Sequence, residues 1–294
     1  MTTQDAIARI QGNGFIAALD QSGGSTPKAL KAYGIEEGAW GSEEEMFELI
    51  HNMRTRIIVN PKFDERVCGA ILFERTMNSE IDGMPTAKYL SEVKNIVPFL
   101  KVDEGLKDEE NGVQLMKEMK GLTERLASAN SHGIFGTKMR SVINDANAQG
   151  IAAIVDQQFD VGNTIIAAGL MPILEPEVNI KSATKAECEA LLRDAILTHL
   201  DQLGDDKQIM LKLSLPDEAN FYRDLITHPR VLRVVALSGG YSTEEANEKL
   251  AANNGMTASF SRALVQDLRA DQSDEEFTAT LDSAIQGIYE ASIT

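Results

Sequence analysis

Cysteine and histidine are scarce in this 294-residue sequence, with two of the first and four of the second. Cys68 and Cys188 lie far apart. No disulfide frame is expected, and a reduced, cytoplasmic chain is the plain reading. His51, His132, His199 and His228 show no HxH or HxxxH spacing. That pattern argues against a zinc constellation, so no metal and no other cofactor is expected. No apolar run approaches the roughly 18–20 residues of a membrane span. The start, MTTQDAIARI, lacks a basic stretch followed by an apolar one, so no secretory leader is expected. Positive charge is also in short supply. Lys and Arg number 28 against 45 Asp and Glu, a net charge of −17. This argues against nucleic acid or an acidic membrane as partner. A small cationic pocket remains compatible with it.

What is present is an ordinary globular composition, 43% hydrophobic and 25% charged. Eight apolar runs of strand length recur: 14–20, 69–73, 95–102, 133–139, 170–178, 208–215, 233–240 and 257–262. Amphipathic stretches separate them. Residues 42–60 open with Ser42 and Glu45 as a capping box and repeat Met46, Leu49, Ile50, Met53 and Ile57 at helical spacing. Residues 112–130, 184–204, 242–255 and 274–292 also read as helices, with Gly255 as a C-cap signal for the third of these. Alternating strands and helices predict parallel pairing with right-handed crossovers. About eight such units suit a single α/β domain over 1–294. The expected fold is a (β/α)8 TIM barrel with extra N-terminal helices and a C-terminal helix. A doubly wound open sheet is the rival.

Polar residues collect at the strand ends. Asp20, Lys101, Lys138, Arg140, Glu175, Glu177, Ser238 and Arg262 stand there, and Lys212 lies inside IMLKLSL. Barrel strands present such residues to the mouth of the active site. By alternation Lys138 shares a face with Arg140, Glu175 with Glu177, and Lys212 with Met210 and Ser214. An amine within an apolar strand has three settings: an edge strand in water, a buried Lys–Glu pair, or a nucleophile whose pKa is lowered by burial and a nearby cation. EPE at 175–177 is a solvated strand end or a general acid/base pair. Two SGG loops follow strands, DQSGGS at 20–25 and LSGGYS at 237–242. Either alone is most often a turn. Together, beside several cations, they point to a substrate with a phosphate at each end.

The set LDQSGGS, FLKVDEG, GTKMR, PILEPE, LKLSLP, ALSGGYS and ASFSRAL, in this order over about 14–265, resembles the class I fructose-1,6-bisphosphate aldolases. The short, bacterial-type branch is the nearest likeness. FERTMNSEIDG (73–83) is similar to the family's segment after the second strand. The resemblance implies metal-free, reversible cleavage of fructose 1,6-bisphosphate through a lysine Schiff base. Lys212 would form the Schiff base, and Glu175 would be the principal acid/base. Glu177 would assist it and order the lysines. Lys138 would hold charge beside Lys212, and Asp20 would position both lysines and assist proton removal. Ser238, Gly239, Gly240 and Arg262 would bind the phosphate of the ketone half. Ser22, Ser25, Lys101 and Arg140 would bind that of the aldehyde half. The implied partner is a small phosphosugar, and family members are often homo-oligomers. Gln21 stands where animal members carry Glu, and the chain stops at GIYEASIT without their tail tyrosine. The enamine's proton donor therefore stays open among Glu175, Glu177, Asp20 and water. The other readings are a Schiff-base aldolase or transaldolase for another phosphosugar, and a non-catalytic phosphosugar-binding protein.

Overall fold

The computed structural model of the chain describes residues 1–22 and 24–294. Its sheet contains eight strands in sequential order: β1 (Phe15–Leu19), β2 (Val67–Leu72), β3 (Val97–Lys101), β4 (Gly136–Ile143), β5 (Met171–Val178), β6 (Ile209–Ser214), β7 (Val231–Leu237) and β8 (Thr257–Ala258). Each pairs in parallel with the next. The strands are buried nearly throughout, which is why they read as continuous apolar runs rather than as alternating ones. The sheet curls into a nearly closed barrel. At the seam Ala18 N–H donates to Phe260 O at 3.4 Å and Thr257 Oγ1 to Gly14 O at 2.5 Å. No ladder joins β1 to β8 among the described residues.

The helices are α1 (Thr3–Gln11), α2 (Thr26–Ala32), α3 (Glu43–Val59), α4 (Leu122–Ser131), α5 (Ala148–Ala167), α6 (Lys185–Gln202), α7 (Thr243–Ala251) and α8 (Asp274–Ser292). The extra N-terminal helices are α1, α2 and α3, and α8 packs over the seam against β8 and β1. No helix is long and apolar enough to cross a membrane among the described residues. The barrel interior is layered, as alternation requires. Ile16, Ile71, Phe99, Ile173, Met210 and Val235 form a dry floor, closed from below by Ala6 and Ile10 of α1. Two residues further along, the same faces carry Ala18, Lys101, Glu175 and Lys212.

Four local expectations are corrected. Residues 112–121 are not helical. Val113 and Gln114 pair antiparallel with the far end of β4, and Gly112 and Gly121 at the two ends have φ of 69° and 74°. Only from Leu122 does a helix run. Arg262 does not end a strand; β8 is two residues long and Arg262 opens a short helical turn, Arg262–Val265. Gly255 does not cap α7, whose C-cap is Ala252. The Ser42 hydroxyl accepts from Glu45 N–H, but the Glu45 carboxylate takes the N–H of Gly41, so the box is half formed.

Candidate active site

The mouth of the barrel holds a cavity of about 690 Å³. Asp20, Ser25, Lys138, Arg140, Glu175, Glu177, Lys212, Ser238, Gly239, Gly240 and Arg262 line it together. They come from β4, β5, β6 and the segments after β1, β7 and β8, so their convergence is a product of closure. Ser22 and Lys101, expected at the same phosphate as Ser25 and Arg140, do not line this cavity; they line a separate hollow of about 560 Å³. Gly23, within the DQSGGS motif, lies outside the described residues.

At the centre sits a chain of alternating charge. Lys212 Nζ lies 3.1 Å from Glu175 Oε1, Lys138 Nζ 2.9 Å from Glu175 Oε2, and the same Lys138 Nζ 2.7 Å from Asp20 Oδ2. Lys212, Glu175 and Lys138 are each about 4% exposed or less. In so dry a place the mutual field decides protonation. Burial alone would push the Asp20 carboxyl up. The charges of Lys138 and Lys212 outweigh it and hold the carboxyl well below the usual carboxylate range. Burial alone would push the Lys138 ammonium down, and Asp20 and Glu175 outweigh that and raise it. At neutral pH Asp20 is therefore an anion and Lys138 a cation. The setting of Lys212 is a buried Lys–Glu contact on a central strand, not a water-exposed edge.

Glu177 departs from the order expected of it. Its Oε2 receives Arg140 Nε at 2.5 Å, and its contacts do not include the lysines. It lies one alternation step further along β5 than Glu175. Lys101 is likewise occupied: Nζ donates to Asp103 Oδ1 and Asp103 O, both at 2.7 Å. The Ser25 hydroxyl is spent on its own turn, accepting from Ser22 N–H at 3.0 Å and donating to Ser22 O at 3.1 Å. Across the mouth, Gly239 and Gly240 adopt φ of 59° and 119°, a conformation that suits glycine. A Cβ on Gly239 would meet Ile180 Cγ2 at 2.7 Å. The loop then enters α7, capped by Ser242. Arg262 is exposed beside it.

Residues that the sequence reading did not single out also line the cavity. Lys28 on α2 is exposed on the same wall. It follows Ser25 at i+3, a spacing that places it over the same loop and was open to detection. Ser261 lines the cavity as well, as does Gln21, which the sequence marked only as standing where animal members carry Glu.

The family model for fructose-bisphosphate aldolase class-I matches residues 2–217. The chain belongs to the class I fructose-bisphosphate aldolase family. It is thus a lyase by family, and the match takes in Asp20, Lys138, Glu175 and Lys212. The barrel as a whole is similar to that of a Plasmodium falciparum fructose-bisphosphate aldolase, solved in complex with TRAP and a small-molecule inhibitor. The TM-score is 0.76 at 20% identity, covering 98% of this chain and 93% of that one. A Corynebacterium glutamicum protein shares the fold more loosely, with a TM-score of 0.54 at 13% identity over 98% of this chain and 92% of that one. These structural likenesses extend through the last two strands, which the family match leaves out.

Proposed function

We propose that this aldolase cleaves fructose 1,6-bisphosphate reversibly to dihydroxyacetone phosphate and glyceraldehyde 3-phosphate through a Schiff base on Lys212. The observation that carries the reading is the shared carboxylate, Glu175, in contact with both Lys212 and Lys138 in a mouth of about 690 Å³. Glu175 is placed to take a proton from the Lys212 ammonium. The free amine adds to the substrate ketone, and its remaining excess proton passes to the carbonyl oxygen, giving a carbinolamine. Glu175 returns its proton to that hydroxyl, and water leaves a protonated iminium. Asp20, held as an anion, assists removal of the proton from the hydroxyl beside the scissile bond. The carbon–carbon bond breaks, its electron pair enters the iminium, and an enamine remains while the aldehyde half departs. Protonation at carbon and hydrolysis then release dihydroxyacetone phosphate and restore the lysine. Lys138 stays charged between two carboxylates and orients substrate hydroxyls.

Ser238, Gly239, Gly240 and Arg262 hold the phosphate of the ketone half, next to Lys212. Ser22, Ser25, Lys101 and Arg140 hold the other, with Lys28 added to that wall. Remote anchors at both ends align the bond with Lys212 and Asp20. One observation favours a second reading, a Schiff-base enzyme for another phosphosugar. Lys101 and Arg140 are already neutralised by Asp103 and Glu177, whereas Arg262 is exposed. Comparing cleavage of fructose bisphosphate, fructose 1-phosphate and sedoheptulose bisphosphate separates the two.

Borohydride reduction in the presence of dihydroxyacetone phosphate tests the mechanism. The expected outcome is one adduct on Lys212, none in Lys212→Met, and cleavage unaffected by EDTA. An adduct on another residue, or loss of cleavage with EDTA, would refute it. Turnover itself separates an enzyme from a phosphosugar-binding protein.

A further inference from the structure

Arg54 on α3 is the largest fully buried side chain in the molecule, 1% exposed. A guanidinium without water is ordinarily matched by a carboxylate, since desolvating an unpaired charge costs several kcal/mol. Here every hydrogen-bond partner is a neutral oxygen. One terminal nitrogen donates to Thr76 Oγ1 at 2.6 Å. The other donates to Gln21 O at 2.6 Å and to Gln21 Oε1 at 3.2 Å. Nε has no partner among the described residues. Burial lowers the guanidinium to about 10, with the charge of Asp20 opposing. Such a cation is a poor device for stability, so its placement asks for another explanation.

The chain continues outward. Gln21 turns its amide nitrogen to Ser261 Oγ at 2.6 Å. Gln21 follows Asp20 at the end of β1, and Ser261 immediately precedes Arg262. These two segments flank the seam of the barrel, where no strand ladder holds them in register. Below, the seam is held by the Ala18–Phe260 and Thr257–Gly14 bonds. At the rim, Gln21–Ser261 is a side-chain tie across it, and Arg54 fixes Gln21 at two oxygens. Arg54 and Gln21 are 33 residues apart and Gln21 and Ser261 are 240 apart.

We propose that Arg54 and Gln21 are positioning residues: their hydrogen-bond chain to Ser261 ties the loop after β1 to the turn that carries Arg262. It thereby sets the distance between the phosphate anchor and the reacting lysine. This rests on the reading of the mouth as a ketose-phosphate site. Neither residue reacts; both act through the placement of Arg262.

The test titrates borohydride trapping at Lys212 with dihydroxyacetone phosphate and, separately, with dihydroxyacetone, which lacks the anchor's ligand. In Gln21→Met and in Ser261→Ala the half-saturating concentration of the phosphate ester rises about fivefold, the scale of one lost hydrogen bond. Adduct yield at saturation and the dihydroxyacetone titration stay at wild-type values. Gln21→Glu still accepts from Arg54 and from the Ser261 hydroxyl, so it titrates as wild type. The double variant Gln21→Met/Ser261→Ala is no worse than the weaker-binding single, because both cut one chain. Unmoved titrations in both singles, equal rises for the two ketones, or additive effects in the double overturn the inference. Should Gln21→Met not fold by circular dichroism, Ser261→Ala must shift and Gln21→Glu must not. A wild-type chain that forms no adduct overturns the aldolase reading and this inference with it. A wild-type adduct with unmoved variants overturns this inference alone.

Discussion

Asp20 and Lys138 stabilise each other's charged forms by a contact of 2.7 Å in a site nearly closed to water. The consequence is a pH dependence of folding with a definite sign. The folded-state pKa of Asp20 lies below its ordinary value, so the unfolded chain takes up its proton first as pH falls. The stabilisation is fully present above pH about 4 and is lost progressively below it. For Lys138 the folded value is raised. Its contribution is present below pH about 10 and is lost above as pH climbs through the folded value. We expect Asp20→Asn to flatten the acid limb of stability against pH relative to wild type, measured by urea unfolding between pH 5 and 2. Parallel acid limbs would mean that the Asp20 carboxylate is not held in this way.

At the scale of elements, the loop after β7 shows how closely one segment is fitted to another. Gly239 has φ of 59°, and a methyl group there would press on Ile180 in the loop after β5. Gly239→Ala is expected to weaken dihydroxyacetone phosphate binding through both backbone strain and this clash. Adding Ile180→Ala should recover the steric part only. Full recovery would assign the whole effect to the clash, and no recovery would leave backbone strain as the cause. Elements of this barrel were legible in the sequence to unequal degrees. Its strands are buried on both faces, so runs such as QIMLKLSL stand out, and the polar Lys212 within one is conspicuous. Residues 112–121 carry Val113, Met116 and Met119 at spacings that also suit a helix, and only pairing with β4 decides against it. The central site was legible because Asp20, Lys138, Glu175 and Lys212 each end or interrupt an apolar run. Neither the Lys101–Asp103 and Arg140–Glu177 pairs nor the Arg54–Gln21–Ser261 chain leaves a periodic trace. Most of those contacts exist only once the barrel has closed.

The whole molecule carries a net charge of −17, yet Lys28, Lys138, Arg140, Lys212 and Arg262 line the mouth, and Lys101, Lys117 and Arg125 line the second hollow. The excess of acid therefore belongs to the outer helices, as in the first turns of α3 and α8, with Glu43, Glu44 and Glu45 in one and Asp274, Glu275 and Glu276 in the other. Two electrostatic systems with different exposure result. The pairs at the centre of the site are dry, and salt screens them little. The outer carboxylates face water and repel one another, which opposes the compact state. Exposed pairs such as Lys31–Glu36 oppose that repulsion only weakly, because each is worth about 0–1 kcal/mol. Repulsion should win. Raising sodium chloride from about 0.02 M to about 0.5 M shortens the screening length severalfold. The unfolding midpoint is then expected to rise by about 2–5 °C, the response of a chain of this size to roughly 1–2 kcal/mol. Differential scanning calorimetry reads this directly. Chloride is the right salt, since sulfate would strengthen burial by exclusion and occupy anion sites as well. A midpoint that falls with salt would place the balance in the surface ion pairs, and the acidic shell would then be a source of stability.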